Sequence, residues 1–222
     1  MFKDRENAGS QLAKLLEKYY GQPNTVVLAI PRGGVATGSV VAQKLNLPFG
    51  VLVVRKLGYP GNPEFAIGAV DVDGEYILSE EFVQSGIEQT PKFRKVLQQE
   101  LAEVKRRMQL FNPAPLEISG TTTIVVDDGI ATGQTNLVAV RYLQRHQVTK
   151  VIVAAPVASQ EAVQLLKNAG AEVVVIDTPI NFMAVGQFYE YFPQLTDEEV
   201  LDIIDDVFPA SSSWPRPGSH IV

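Results

Sequence analysis

The sequence predicts an α/β fold, namely a doubly wound, mainly parallel sheet of about five strands. Three observations carry this prediction. Short, continuously apolar runs, typical of strands that are covered on both faces, recur along the chain. Segments with apolar residues at helical spacing alternate with them, and clusters of Gly and Pro separate the two kinds of segment. Because ligands bind such sheets at the carboxyl ends of the strands, the loops after the apolar runs are the candidate functional segments.

The composition is that of a globular chain. Its 222 residues are enough for one well-buried domain, and 45% of them are hydrophobic while 20% are charged. The net charge of −6 argues against a nucleic-acid or membrane-surface binder, and no apolar run approaches the roughly 18 residues of a membrane span. The chain has no cysteine and only two histidines. It therefore has too few such residues for a zinc cluster, and a catalytic site based on histidine is disfavoured. Since Met1–Glu6 does not resemble a signal peptide, we expect a cytoplasmic protein.

Apolar periodicity predicts four helices and two strands before residue 112. The helices are expected at 4–20, 35–45, 79–86 and 91–111, and the strands at 25–30 and 49–54. A two-residue turn signal, Asp73-Gly74, predicts a hairpin that joins 66–72 to 75–78. The stretch 58–64 is rich in Gly and Pro and is expected to be irregular.

The rest of the chain continues the alternation. Strands are expected at 123–126, 150–155 and 172–176, with helices at about 135–146 and 159–170. Thr196 and Glu199 form a capping box that opens a last helix through Val207. We expect a single domain, with boundaries in this order: a core at 22–178, a flexible loop and hairpin at 57–78, an aromatic segment and helix at 179–208, and a loose tail at 209–222.

One stretch joins an apolar strand to a helix through two acids and a small-residue turn: Thr123-Ile124-Val125-Val126-Asp127-Asp128-Gly129-Ile130-Ala131-Thr132-Gly133-Gln134-Thr135. The turn can aim several backbone N–H groups at one anion, and the helix adds its positive dipole end. Two adjacent carboxylates repel a phosphate but suit the vicinal hydroxyls of a ribose, since ionised carboxylates are pure acceptors. The stretch therefore predicts a ribose 5-phosphate pocket. The alternative is an ordinary strand–turn–helix with an Asp-Asp cap.

Two other strand ends carry cations. Pro31-Arg32-Gly33-Gly34 offers a forked cation, close backbone approach and the N–H donors of a helix start, an arrangement suited to pyrophosphate. Arg55 and Lys56 close the second predicted strand. The alternatives are a tight turn with an exposed arginine and a solvated basic strand end. Ser159 follows a later strand, and helix capping explains it fully.

The stretch from Thr123 to Thr135 resembles the motif with which type I phosphoribosyltransferases bind 5-phosphoribosyl 1-diphosphate (PRPP). The chain also resembles a bacterial group of predicted phosphoribosyltransferases with no assigned base, through Phe2-Lys3-Asp4-Arg5, Pro31-Arg32-Gly33-Gly34, Arg55-Lys56-Leu57-Gly58 and Ala184-Val185-Gly186. The resemblance implies PRPP as the donor, Mg²⁺ bridging its pyrophosphate and ribose hydroxyls, and a homodimer. It also implies a mobile loop that closes over PRPP and excludes water.

The residues and the resemblance together assign the site. Catalytic roles are predicted for Asp127, Asp128, Arg55 and Lys56. PRPP binding is predicted for Arg32, Gly33, Gly34, Asp127, Asp128, Gly129, Ile130, Ala131, Thr132, Gly133, Gln134 and Thr135. The two acids are also expected to contact Mg²⁺ indirectly, through PRPP and water.

The aromatic segment from 179 to 192 is loosely similar to the hood that covers the base in the hypoxanthine-guanine enzymes, which predicts base contacts from Phe182 and Val185. An ordinary aromatic core beneath the last helix is the alternative. Those enzymes carry an Asp, a candidate base for the purine proton, where this chain has Ala131. The adenine enzymes have a similar Asp-Asp-x-x-Ala-Thr-Gly pattern, so the motif leans away from a 6-oxopurine.

Three hypotheses follow for function. The first is an enzyme that transfers phosphoribosyl from PRPP to a nitrogen nucleophile, such as a nucleobase, and releases pyrophosphate. The second is a non-catalytic PRPP sensor that acts on a partner; the set of cations around the predicted pyrophosphate site favours catalysis over it. The third, a dinucleotide-binding or nucleotide-sugar oxidoreductase, is weakened because no Gly-x-Gly-x-x-Gly turn follows the first strand.

Overall fold

The computed structural model describes residues 1–111 and 116–207, so the predicted break at 112–115 and the predicted tail at 209–222 lie outside it. The strands are β1 Thr25–Ala29, β2 Phe49–Val51, β3 Arg55–Tyr59, β4 Asn62–Val70, β5 Tyr76–Leu78, β6 Thr122–Val126, β7 Lys150–Val157 and β8 Glu172–Asp177. The helices are α1 Arg5–Leu15, α2 Gly33–Leu45, α3 Glu80–Gln84, α4 Pro91–Phe111, α5 Gln134–Arg145, α6 Gln160–Asn168 and α7 Asp197–Val207.

Five strands form the predicted parallel sheet, in the order β2-β1-β6-β7-β8. The two central strands run in register, with Ala29 of β1 opposite Val126 of β6. Val126 in turn lies opposite Ala154 of β7. The carboxyl ends of these strands therefore bring their loops together, and the strand order reverses beside them, where open sheets of this kind bind ligands.

Both faces of the sheet are covered, which is why its strands read as continuous apolar runs. Alternate residues point to opposite sides, so Val27 and Ile124 enter one core while Leu28 and Val125 enter the other. The first core also contains residues of α1, α2, α4 and α7, and the second contains residues of α5 and α6. The doubly wound prediction is confirmed.

A second sheet corrects the predicted path of the chain after β2. The strand expected at 49–54 leaves the parallel sheet after Val51, and Arg55 opens β3 in an antiparallel sheet of order β3-β4-β5. The stretch 58–64, expected to be irregular, belongs mostly to β3 and β4 and to the turn between them. Periodicity alone could not separate two strands that follow each other without a Gly or Pro between them.

The predicted hairpin and several predicted caps are confirmed. β4 pairs with β5 around a loop longer than the expected two residues, because the carboxylate of Asp71 accepts the backbone N–H groups of Asp73 and Glu75. Ser159 accepts the N–H of Ala162 at the start of α6. Thr196 and Glu199 bond each other's backbone N–H as a capping box. In the described residues, no helix has the length and hydropathy needed to cross a membrane.

Candidate functional site

A cleft of about 600 Å³ opens at the carboxyl ends of β1 and β6. Its walls come from the loop after β1, the loop after β6, the β3–β4 hairpin, one side of α4 and the segment near residue 190. The loop after β7 does not line it, although the sequence made every loop after an apolar run a candidate functional segment. That loop instead supports the loop after β6 from behind, since Ile130 pairs with Ala158 in an isolated bridge.

The loop from Gly129 to Gly133 has the features of an anion cradle. It leads directly into α5, where Gly133 takes the N-cap position with φ +76°. The loop is anchored at Ile130, whose N–H donates to Val157 O at 2.9 Å, and at Ala131 O, which accepts from Ser159 Oγ at 2.7 Å. The backbone N–H groups of Ala131, Thr132 and Gly133 have no acceptor among the described residues. They and the positive end of α5 are available to one anion.

Asp127 lies at the end of β6 and is mostly buried. One of its oxygens accepts the backbone N–H of Asp128 at 2.9 Å, and the other accepts the amide of Asn136 at 3.2 Å. Burial raises the pKa of Asp127 well above its ordinary value, and the neighbouring charge of Asp128 raises it further. The structure thus holds this carboxyl group in a fixed orientation at the wall of the cleft.

Asp128 is held by residues that the sequence prediction did not assign to the site. Arg5 Nε donates to Asp128 Oδ2 at 2.7 Å, and the exposed fractions of these two side chains are 9% and 15%. The hydroxyl of Tyr189 donates to the backbone carbonyl of Asp128 at 2.6 Å. Burial raises the pKa of that phenol, and the charge of Asp128 adds to the effect, so Tyr189 stays a donor. The second acid of the motif is therefore fixed through both its side chain and its backbone.

Arg5 also connects the start of the chain to its C-terminal aromatic segment. Its guanidinium lies 3.8 Å from the centroid of the Phe192 ring, and its Nη1 donates to Pro193 O at 2.8 Å. A parallel bridge between Phe2 and Tyr189 runs beside these contacts. No local sequence pattern announces this role, because the partners of Arg5 are more than 120 residues away.

The loop Pro31-Arg32-Gly33-Gly34 packs directly against the two acids, and its Pro31–Arg32 peptide bond is cis. A Cβ on Gly33 would lie 1.8 Å from Asp128 Oδ2, and one on Gly34 would lie 2.8 Å from Val126 O. The glycines were predicted to let a ligand approach. The structure shows a different role for them. Without side chains, the glycines let α2 begin in contact with the end of β6, and no Cβ collides with the carboxylate of Asp128.

The cations of the antiparallel sheet also reach the cleft, from β3 rather than from a parallel strand end. Arg55 and Lys56 both line it. Arg55 Nε donates to Glu100 on α4, whereas the side chain of Lys56 is exposed. Arg32 lies in the loop after β1, with its Nη1 3.6 Å from Asp197 Oδ1 at the start of α7. The three predicted pyrophosphate cations thus line one cleft.

Of the two residues predicted to contact a base, one lines the cleft and the other does not. Val185 lines the cleft, and its methyl groups fill the space beside Gly129, where a Cβ would approach within 2.3 Å. Phe182 is not among the residues that line the cleft; its ring packs 5.2 Å from that of Phe188. Phe192 supplies the aromatic wall instead.

The family model for the phosphoribosyl transferase domain matches residues 2–192 of this chain. The chain belongs to the phosphoribosyl transferase family. The matched region contains every loop that lines the cleft, together with Arg5 and Phe192. The resemblance seen in the sequence is therefore confirmed.

Relatives of this phosphoribosyl transferase domain agree with the assignment. Two proteins from strains of Mycobacterium tuberculosis, each named only as a candidate phosphoribosyl transferase, are 39% identical to it over 207 residues, or 92% of this chain. The chain spans about half, 46%, of the length of these curated relatives. A crystal structure of the protein TT1426 from Thermus thermophilus is 37% identical, has a TM-score of 0.75, and is matched over 92% of this chain and 98% of its own.

Within the phosphoribosyl transferase cleft, most of the predicted residues are brought together. The cleft is lined by Arg32, Gly33, Arg55, Lys56, Asp127, Asp128, Gly129, Ile130, Ala131, Thr132, Gly133, Thr135 and Val185. Gly34, Gln134 and Phe182 are not among the lining residues. Sequence reasoning missed Arg5, Arg107, Asn136 and Phe192. Two signals were available. Arg5 ends the Phe2-Lys3-Asp4-Arg5 pattern that carries the resemblance, and the helical spacing of Asn136, the third residue of α5, returns its side chain toward the acids.

Proposed function

We propose that this domain transfers the phosphoribosyl group of PRPP to a nitrogen nucleophile, such as a nucleobase, and releases pyrophosphate. The observation that carries the proposal is the shared cleft, in which the anion cradle at Gly129–Gly133, the acids Asp127 and Asp128, and the cations Arg32, Arg55 and Lys56 meet. The three parts match the three parts of PRPP, namely a 5-phosphate, a ribose with free hydroxyls and a pyrophosphate.

The donor end of the proposal rests on the cradle and the acids. The free N–H groups of Ala131, Thr132 and Gly133 supply directed donors for the 5-phosphate, and Thr135 adds a hydroxyl at the helix start. Asp127 and Asp128 accept hydrogen bonds from the ribose hydroxyls. An ionised carboxylate has about four acceptor sites, so the bond from Arg5 leaves Asp128 free to accept more.

The chemistry we propose is positioning and charge stabilisation. Cleavage of the bond at the anomeric carbon leaves positive charge on the ribose and adds negative charge to the departing pyrophosphate. Arg32, Arg55 and Lys56 stabilise that leaving group, while the acids beneath the ribose lie near the developing cation. The β3–β4 hairpin, which carries two of these cations, would close over the bound donor and exclude water.

Mg²⁺ is part of the proposal as a companion of PRPP. In the described residues, no group of three or more His, Cys, Asp and Glu side chains is placed to ligate a metal. Asp127 and Asp128 alone fit a cation that keeps most of its ligands from PRPP and water, with the acids contacting it indirectly. When bound, the ion would offset the charge of the pyrophosphate.

For the acceptor we propose the space between Val185 and Phe192, which lies next to the acids. The isopropyl group and the edge of the phenyl ring, whose faces are covered by Arg5 and Tyr189, give this space an apolar lining that suits a heterocycle. Ala131 at the cradle cannot take a proton, so a 6-oxopurine would lack a base at that position. We also propose a cytoplasmic location, with which the lack of cysteine agrees, and, on the family resemblance alone, a homodimer.

The test is to incubate the protein with Mg²⁺, PRPP and a panel of purine, pyrimidine and other nitrogen bases, and to follow pyrophosphate release. We expect release above the no-base blank with at least one acceptor, and its loss in Asp128→Ala. PRPP binding by calorimetry in wild type, with no release from any base, would favour the alternative of a PRPP sensor. No PRPP binding, with Asp128→Ala behaving as wild type, would overturn both.

A further inference from the structure

An arginine on α4 reaches the same cleft as the predicted pyrophosphate cations. Arg107 lines the cleft seven residues, about two helical turns, after Glu100, which holds Arg55. Its side chain is 14% exposed, so it is well enclosed by its surroundings. Its Nε donates to Glu103 at 2.8 Å, which fixes the guanidinium while leaving other donors unused.

Arg107 and Arg32 converge on one oxygen atom. Arg107 Nη2 lies 3.5 Å from Asp197 Oδ1, and Arg32 Nη1 lies 3.6 Å from that same oxygen. Neither distance allows a good hydrogen bond, and Asp197 Oδ1 is buried without a hydrogen-bond partner in the described structure. The other oxygen of Asp197 is firmly bonded, at 2.6 Å, to Arg106. Two guanidinium groups therefore share a carboxylate that binds neither of them well.

We propose that Arg107 is a further binding residue for the pyrophosphate, and that Arg107 and Arg32 form a two-guanidinium clamp on it. The inference rests on the proposed function. Arg32 has no close partner among the described residues, and Arg107 keeps unused donors beside its bond to Glu103. A diphosphate in the cleft therefore gains charge-assisted hydrogen bonds from both without first breaking a strong one. Asp197 lies behind the clamp and does not line the cleft; its charge offsets that of the two arginines when no anion is bound.

The proposal makes two neighbouring arginines behave differently. Arg106 shares both acidic partners of Arg107, since it bonds Glu103 at 2.7 Å and Asp197 at 2.6 Å. Its side chain is 51% exposed and is not part of the cleft wall. If the arginines of α4 served only to fix α7, then Arg106, with the shorter bond to Asp197, would matter more. If they bind pyrophosphate, Arg107 alone should matter.

The experiment is calorimetric titration of the whole protein with inorganic pyrophosphate and Mg²⁺. We expect Arg107→Ala to weaken binding by at least about tenfold, Arg107→Lys to weaken it less, and the matched control Arg106→Ala to change it by less than about twofold. We expect Asp197→Asn to tighten binding by roughly threefold to tenfold, because it removes a competing negative charge and keeps a hydrogen-bond acceptor for Arg106.

The outcomes separate this inference from the proposed function. Equal affinities in Arg107→Ala and Arg106→Ala, with wild type binding pyrophosphate, would overturn the clamp and leave the proposed function standing. Weaker binding in Asp197→Asn would also overturn it, since that carboxylate would then be orienting the arginines. A wild type that binds neither pyrophosphate nor PRPP would overturn the proposed function and the clamp together. Because Asp197→Asn is expected to act in the opposite direction to Arg107→Ala, partial unfolding cannot imitate the full pattern.

Discussion

Arg5 Nε lies 2.7 Å from Asp128 Oδ2, and the same guanidinium stacks 3.8 Å from the centroid of the Phe192 ring. One side chain thus joins Asp128, the second acid after β6, to the aromatic wall of the cleft. The pair is nearly buried, with exposed fractions of 9% and 15%. The attraction within a buried ion pair adds little net stability to a fold. Removing one partner is costly, however, because it leaves the other charge buried without compensation.

We predict that Arg5→Ala destabilises the fold by about 3 kcal/mol and weakens PRPP binding, because Asp128 is left buried without its partner. Arg5 acts here as a positioning residue. Arg5→Lys should keep part of the stability but lose the stacking and the fork that reaches Pro193 O. Urea denaturation and PRPP titration measure the two effects. An alanine variant as stable as wild type would show that the pair has no structural role.

We predict that Asp127 makes the protein less stable as the pH rises. The folded state raises the pKa of Asp127, so folding favours the protonated carboxyl group. The free energy of unfolding is therefore not reduced by this group below the ordinary pKa of an aspartate. It falls as the pH rises from that value through the raised one. Asp127→Asn should lose this decline, so its free energy of unfolding should rise relative to that of wild type by up to about 1.4 kcal/mol for each pH unit between pH 5 and pH 8. Denaturation curves at both pH values test this, with the exposed Asp177→Asn as the control. Parallel pH profiles for wild type and Asp127→Asn would contradict it.

We predict that Gly129→Ala displaces Val185, because its Cβ would lie 2.3 Å from Val185 Cγ1. The acceptor wall should move, so the affinity for the acceptor should fall by roughly tenfold or more. Val185→Ala removes the two clashing methyl groups. The double variant should therefore recover part of the loss, which a double-mutant cycle on KM for the acceptor would measure. Simply additive losses would mean that Gly129 is needed for another reason.

We predict that Ser159→Ala costs about 1 to 2 kcal/mol and weakens PRPP binding, since Ser159 caps α6 and also donates to Ala131 O in the cradle. Ser79 is the matched control, because it occupies the N-cap of α3 without a capping hydrogen bond. Ser79→Ala should cost less than Ser159→Ala and leave PRPP binding unchanged. Thermal unfolding and calorimetry give both quantities. Equal effects on PRPP binding would remove the support role from Ser159.

The sequence predicted the elements that local patterns define. The buried strands, their helices and the acid-rich turn after β6 follow from apolar periodicity and from residue types that few other turns use. The sequence prediction was wrong where the pairing of distant strands determines which sheet a residue joins. Leu52, Val53 and Val54 continue the apolar run of β2, yet backbone pairing moves Arg55 into a separate antiparallel sheet.

The lining of the cleft was predicted most completely where one loop supplies it. Asp127, Asp128 and the cradle lie within one strand–turn–helix unit. Their residues are consecutive in the sequence, so a local motif predicts their chemistry. Arg5 and Phe192 join the site from opposite ends of the matched region, so no spacing along the chain connects them. Phe182 was chosen over Phe192 by analogy of position, whereas packing against Phe188 takes Phe182 away from the cleft wall.

The bridge between Phe2 and Tyr189 sets an order for the assembly of the site. Phe2 N donates to Phe188 O and Glu190 N donates to Phe2 O, both at 2.8 Å, and Arg5 needs Pro193 O. During synthesis the first residues emerge long before their partners exist. The parallel sheet can pair as soon as β8 is complete, but Arg5 cannot be enclosed until residue 193 has been made. A chain that ended before residue 192 would contain every strand of the sheet but would lack the Phe192 ring and the Pro193 carbonyl that enclose Arg5.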